Sequence, residues 1–191
     1  LLLIFAFFMA SLAGQALPSV WSYYCIELFG WSPKQIGISL VVVGLLVAFV
    51  QGFLVGKAVE WFGKRKVVTI GFLLWTLGMF LFSQADEPWM LYAFLIPYAL
   101  GGIAGPTVQG IISNQVSEKE QGILQGSITS LVSITAILGQ LIFAPVFYYF
   151  IRPETYFYFP GAAYALGAVF LLIAFVLATT AMKRMEVAGS L

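Results

Sequence analysis

Six stretches of the chain are each long and apolar enough to cross a lipid bilayer, and nothing else in its 191 residues limits the fold so strongly. They cover roughly 1–26, 34–56, 67–85, 89–113, 121–150 and 160–182. A hydrocarbon core about 30 Å thick takes about 20 residues of helix to cross. With no water there to satisfy the backbone, only helices and closed barrels span it, and barrel strands alternate polar with apolar residues. These stretches do not alternate. The chain is therefore predicted to be an all-α membrane protein of six transmembrane helices, with the lipid bilayer as its solvent. Its composition leads the same way: 9% of residues are charged, against roughly a quarter in soluble domains.

The boundaries carry helix signals. "SPKQ" puts Ser32 at an N-cap, Pro33 at the first helical position and Gln35 where a capping box needs it. "SEKE" repeats the device with Ser117 and Glu120, and "DEPW" opens the fourth stretch with acids and Pro88. The cations then set the orientation. Lys57, Lys64, Arg65, Lys66, Lys119, Lys183 and Arg184, seven of nine, fall on one side; Lys34 and Arg152 fall on the other. The positive-inside rule places the loops between helices 2 and 3 and between 4 and 5, and the C-terminus, in the cytoplasm. Trp31, Trp89, Tyr156 and Tyr158 are expected as interfacial aromatics at the far ends, and Tyr23, Tyr24, Tyr148 and Tyr149 as belt residues. The chain opens at Leu1 in mid-hydrophobic run and is expected to be a piece of a longer protein.

Several chemistries are excluded. There is no histidine, and Cys25 is the lone cysteine, which leaves no His-based metal site, catalytic dyad or thiolate cluster. A net charge of +1 gives nucleic acid no electrostatic support. No cofactor is expected. All eight acids lie in loops, at span ends or in the tail. The membrane-embedded amides are Gln15, Gln51, Gln109, Gln125 and Gln140, on helices 1, 2, 4 and 5 alone. An amide facing lipid is costly, so such groups mark helix contacts or a watery path. Ser11, Gln15, Ser19 and Ser22 share one face of helix 1, and Gln125, Thr129, Ser133 and Gln140 share one of helix 5. Gly102, Gly105 and Gln109 share one of helix 4. Pro18, Pro97 and Pro106 interrupt the ladder and, with Gly105, are expected hinges. The expected substrate-cavity lining is Gln15, Ser19, Gln51, Gln109, Gln125, Thr129, Ser133 and Gln140; packing surfaces are the alternative for the small residues.

The run "GKAVEWFGKRK" at 56–66 has more than charge. Gly56, Glu60, Gly63, Lys64 and Arg65 form G-x-x-x-E-x-x-G-K-R, with Gly56 expected at a close helix approach and Gly63 at a tight turn. Glu60 is expected to meet nearby cations or a helix N-terminus. The run resembles the signature loop of the major facilitator superfamily, G-x-x-x-D-R-x-G-R-R/K, with Glu60 in place of its Asp and Trp61 in place of its Arg. "GQALPSVW", "FGWSPKQIGISLVVVGLL", "GGIAGPTVQGIIS" and "EQGILQGSITSL" look like the C-terminal half of its tetracycline-efflux group of drug:proton antiporters. Val47 stands where some of that group carry a His, and Trp75 where they carry an intramembrane Asp.

The resemblance implies one six-helix half, a 3+3 inverted repeat spanning 1–191, of a secondary transporter in a plasma membrane, such as a bacterial inner membrane. It implies the N-terminal six-helix half as partner, a small hydrophobic or amphiphilic substrate such as a drug, tetracycline-type included, and protons as coupling ion, with the titrating group in the other half. It implies a cytoplasmic gating role for Glu60, Lys64 and Arg65. A half-size homodimeric carrier and a non-transporting membrane scaffold stay open as alternatives. An enzyme is not expected, because the loop acids show no paired-carboxylate spacing.

Overall fold

At the second helix start, the backbone N–H and hydroxyl of Ser32 both donate to Gln35 Oε1, at 2.9 and 2.8 Å. At the fifth, those of Ser117 donate to Glu120, at 3.2 and 2.7 Å. Both boxes form where the sequence puts them. The computed structural model describes residues 1–187 and holds no strand among them. The last four residues of the tail expected in the cytoplasm lie outside the described residues.

Six candidate spans result. Span 1, Leu2–Phe29, consists of α1 (Leu2–Gly14) and α2 (Ala16–Phe29). Span 2, Pro33–Phe62, joins α3 (Pro33–Phe49), a π-turn at Val50–Leu54 and α4 (Val55–Phe62). Span 3 is α5 (Lys64–Ser83); span 4, Pro88–Ser113, is α6 (Pro88–Gly101) with α7 (Ala104–Ser113). Span 5, Glu118–Ile151, opens in a 3₁₀ turn and continues as α8 (Gln121–Ile151), and span 6 is α9 (Ala162–Val187).

Span 6 lies along both span 1 and span 3, and span 3 also packs on span 4. Small residues make this approach possible. Ala163, Gly167, Ala174, Ala178 and Ala181 form the buried stripe of α9. A Cβ on Gly101 would fall 2.2 Å from the Trp75 backbone nitrogen, and one on Gly78 would fall 2.6 Å from Tyr98. Spans 2 and 5 flank this core and are the least covered of the six. Trp21 Nε1 donates to Ser39 Oγ at 2.9 Å, tying span 2 to span 1.

Two aromatic expectations fail. Tyr24 is fully buried, with its hydroxyl donating to the Phe82 carbonyl at 2.6 Å and its ring edge-on to Tyr164. Trp31 is buried too, stacked on Tyr92 at 6.0 Å. Each ring finds a neighbouring helix within reach before it finds the interface. Trp89, Tyr156 and Tyr158 are exposed, as are Tyr23, Tyr148 and Tyr149.

Candidate functional site

The polar residues of span 5 lie on one side of a helix that has three. At about 100° per residue, Ile128, Thr135 and Gly139 form the packed edge and are buried. Ile123, Ile134, Ile137 and Leu141 form an exposed apolar edge. Between them run Gln125, Thr129, Ser133 and Gln140, all exposed. The two hydroxyls turn back on their own helix, Thr129 to the Gln125 carbonyl and Ser133 to that of Thr129, both at 2.9 Å. Gln109 Nε2 on span 4 donates to Gln125 Oε1 at 3.2 Å and joins the row.

Gln15 borders the same row, because Gly139 makes room for it. A Cβ on Gly139 would come within 2.3 Å of Gln15 Cβ. Ser19 differs from its sequence neighbours: it is buried inside the bundle, and its hydroxyl has no partner. Gln51 is exposed and sits in the π-turn of span 2, a feature that no residue pattern announced. Its Nε2 lies 3.7 Å from where a Gly102 Cβ would stand, in the break of span 4. Apart from the buried Ser19, the expected cavity residues thus make an open face rather than an enclosed chamber. Gln140 also borders a surface hollow of about 720 Å³ shared with Tyr149 and Arg152.

The hinges divide. Pro18 has no N–H for the Gly14 carbonyl, and the helix of span 1 is interrupted next door, at Gln15. Pro106 likewise leaves the Gly102 carbonyl without its partner, and span 4 breaks between Gly101 and Ala104, with Gly105 just beyond in α7. Pro97 produces no break: α6 runs through it. Pro145, not singled out from sequence, also lies inside an uninterrupted helix.

At the basic end, the expected loop between helices 2 and 3 shrinks to one residue. Gly56, Lys57 and Glu60 are helical in α4, Lys64 to Lys66 open α5, and Gly63, at φ +79°, makes the connection. That positive φ is the conformation a side chain would strain. Gly56 is a correction: a Cβ added there would have no atom within 4 Å, so Gly56 mediates no close approach among the described residues. Of the two expectations for Glu60, contact with the neighbouring cations is not formed: it is exposed and meets none of them. Arg65 pairs instead with Glu186 at the end of span 6, the one ion pair among the described residues. Those two residues are 121 positions apart, and only the packing of α9 on α5 unites them.

Trp75 and Val47 occupy the remaining positions of interest. Trp75 fills the gap between spans 1, 3 and 4, its ring 3.3 Å from where a Gly14 Cβ would stand and its backbone against Gly101. Val47 is half-buried against the core. Among the described residues no acid is buried, and no group of His, Cys, Asp and Glu is arranged to hold a metal. At the far end, the Tyr158 hydroxyl donates to Glu27 at 3.0 Å, and burial with that contact raises its pKa.

Comparison with known proteins bears on this arrangement. The profile of the Major Facilitator Superfamily matches residues 3–188. The class E tetracycline resistance protein of Escherichia coli is 39% identical over 154 residues, 81% of this chain and 38% of that protein. The class B protein of Escherichia coli is 31% identical over 189 residues, 99% of this chain and 46% of that protein. The hippocampus abundant transcript 1 protein of Mus musculus is 24% identical over 150 residues, 78% of this chain and 31% of that protein. The chain spans less than half the length of these relatives.

Proposed function

The chain belongs to the major facilitator superfamily, and on that premise we propose that it is the C-terminal six-helix half of a drug exporter. It is an integral membrane protein whose basic end, with the loops between helices 2 and 3 and between 4 and 5, faces the cytoplasm. One observation carries the reading: the row of Gln125, Thr129, Ser133 and Gln140, bonded to Gln109, is exposed on a span that this half leaves largely uncovered. Moving an amide from water into hydrocarbon costs roughly 4–8 kcal/mol. Lipid is therefore a poor neighbour for that face. A second six-helix half closing over it with water and solute between makes the row one wall of a substrate path, with Gln15 and Gln51 at its margins.

The substrate class follows from the wall. The amides and hydroxyls of the row, which itself carries no charged side chain, suit an apolar or amphiphilic solute held by a few hydrogen bonds. The relatives named for tetracycline resistance put tetracycline-type molecules within that class. The breaks beside Pro18 and Pro106 supply bending points for alternating access. Because every acid of this half lies at the surface, the proton-binding group belongs to the other half. Glu60, exposed and unengaged by this half's cations, is available to a partner across the cytoplasmic gate.

The test uses everted membrane vesicles containing the whole protein. Accumulation of a tetracycline or of a fluorescent amphiphile should follow acidification of the lumen and collapse with a protonophore. Accumulation of neither class, in vesicles that carry correctly inserted protein, contradicts the reading.

A further inference from the structure

Three consecutive cations stand at the wrong end of a helix. Lys64, Arg65 and Lys66 form the first turn of α5, where the backbone N–H groups already concentrate positive potential and cations are disfavoured. Glu186 neutralises Arg65; among the described residues neither Lys64 nor Lys66 has an ion pair. The three line an open groove of about 650 Å³ between spans 3 and 6. Its other walls include Phe62, Ile70 and the half-buried Thr69 and Thr179. The groove thus combines uncompensated positive charge at one end with an apolar side along the membrane-facing helices.

We propose that this groove binds the phosphate headgroup of an anionic phospholipid. The diester would lie between Lys64 and Lys66, compensating both cations and the helix end, and one acyl chain would run down past Ile70. Phosphate chemistry alone is shared with free inorganic phosphate, but only a lipid uses the apolar wall. Basic pockets between transmembrane helices are suited to such headgroups, and each cation near an anionic surface adds to retention. Glu186 is then a competitor: its carboxylate occupies Arg65, which a headgroup would otherwise recruit. Membrane embedding is all that this proposal requires, so it stands or falls apart from the transport reading.

The experiment is native mass spectrometry of the purified full-length protein released from bilayers of equal phosphatidylglycerol and phosphatidylcholine. Wild-type protein should keep phosphatidylglycerol in preference. The pair Lys64→Gln with Lys66→Gln should reduce that retention on the order of tenfold, while Lys34→Gln, at the opposite end, should leave it unchanged. Glu186→Gln should raise retention. Retention that survives the double substitution, or that falls equally with Lys34→Gln, overturns the site. Equal retention of the two lipids, with inorganic phosphate bound instead, overturns the lipid as its occupant.

Discussion

Gly101 shows what single residues contribute here. A Cβ at that position would overlap the Trp75 backbone, which has no room to retreat. Gly101→Ala should therefore lower the melting temperature in detergent, with a loss of about 1–3 kcal/mol from forced overpacking. Gly44→Ala, with nothing within 4 Å, should match wild type or exceed it. Ser39 gives a second test: its hydroxyl accepts the buried Trp21 N–H and donates to the Ile36 carbonyl at 2.7 Å. Ser39→Ala strands that N–H and should cost about 1 kcal/mol in a thermal or denaturant melt. Neither effect is legible in sequence, because which backbone lies against Gly101 and which N–H reaches Ser39 depends on where the neighbouring helix packs. The amide row is legible, because a period near four places Gln125, Thr129 and Ser133 on one face whatever packs against it. Tyr24 and Trp31 are not, because whether an aromatic near a span end meets water or a neighbouring helix depends on the next helix's position.

The elements themselves are mostly written in the chain. Long apolar runs and capping boxes place all six spans, with ends moved by a few residues where helices continue past their apolar segment. The largest difference is at 56–66, where charge suggests a loop and the backbone stays helical on both sides of Gly63. Lys, Arg and Glu, the charged residues of this run, are good helix formers, so polarity marks the end of the membrane and not the end of the helix. The π-turn at Val50–Leu54 carries no composition signal at all. Proline supplies half a signal: Pro18 and Pro106 lie beside breaks, whereas Pro97 lies in a continuous helix. Pro18→Ala should accordingly restore the ladder and keep or raise thermal stability while slowing transport several-fold. Pro97→Ala should leave the transport rate near wild type. Initial rates in vesicles, normalised to inserted protein, separate the two.

At the scale of the molecule, the chain has built its own core and left two spans and a polar face uncovered. Spans 1, 3, 4 and 6 hold one another through small residues; spans 2 and 5 present what remains. Glu60 belongs to that uncovered set. Glu60→Gln should cut transport by tenfold or more with membrane insertion unchanged, and equal loss of insertion would reduce the run to a topology anchor. Proton exchange should survive replacement of any acid in this half, and its loss on Glu27→Gln alone would contradict the assignment of coupling elsewhere. The central claim is that the row on span 5 lines a watery path. Single cysteines at Gln125, Thr129, Ser133 and Gln140 test it, placed in a cysteine-free background of the full-length protein that includes Cys25→Ser and probed with a membrane-impermeant thiol reagent. A watery path predicts labelling at all four that slows when a transported solute is added, and none at Leu141 on the apolar edge. No labelling along the row, or labelling at Leu141 equal to it and indifferent to solute, would contradict it.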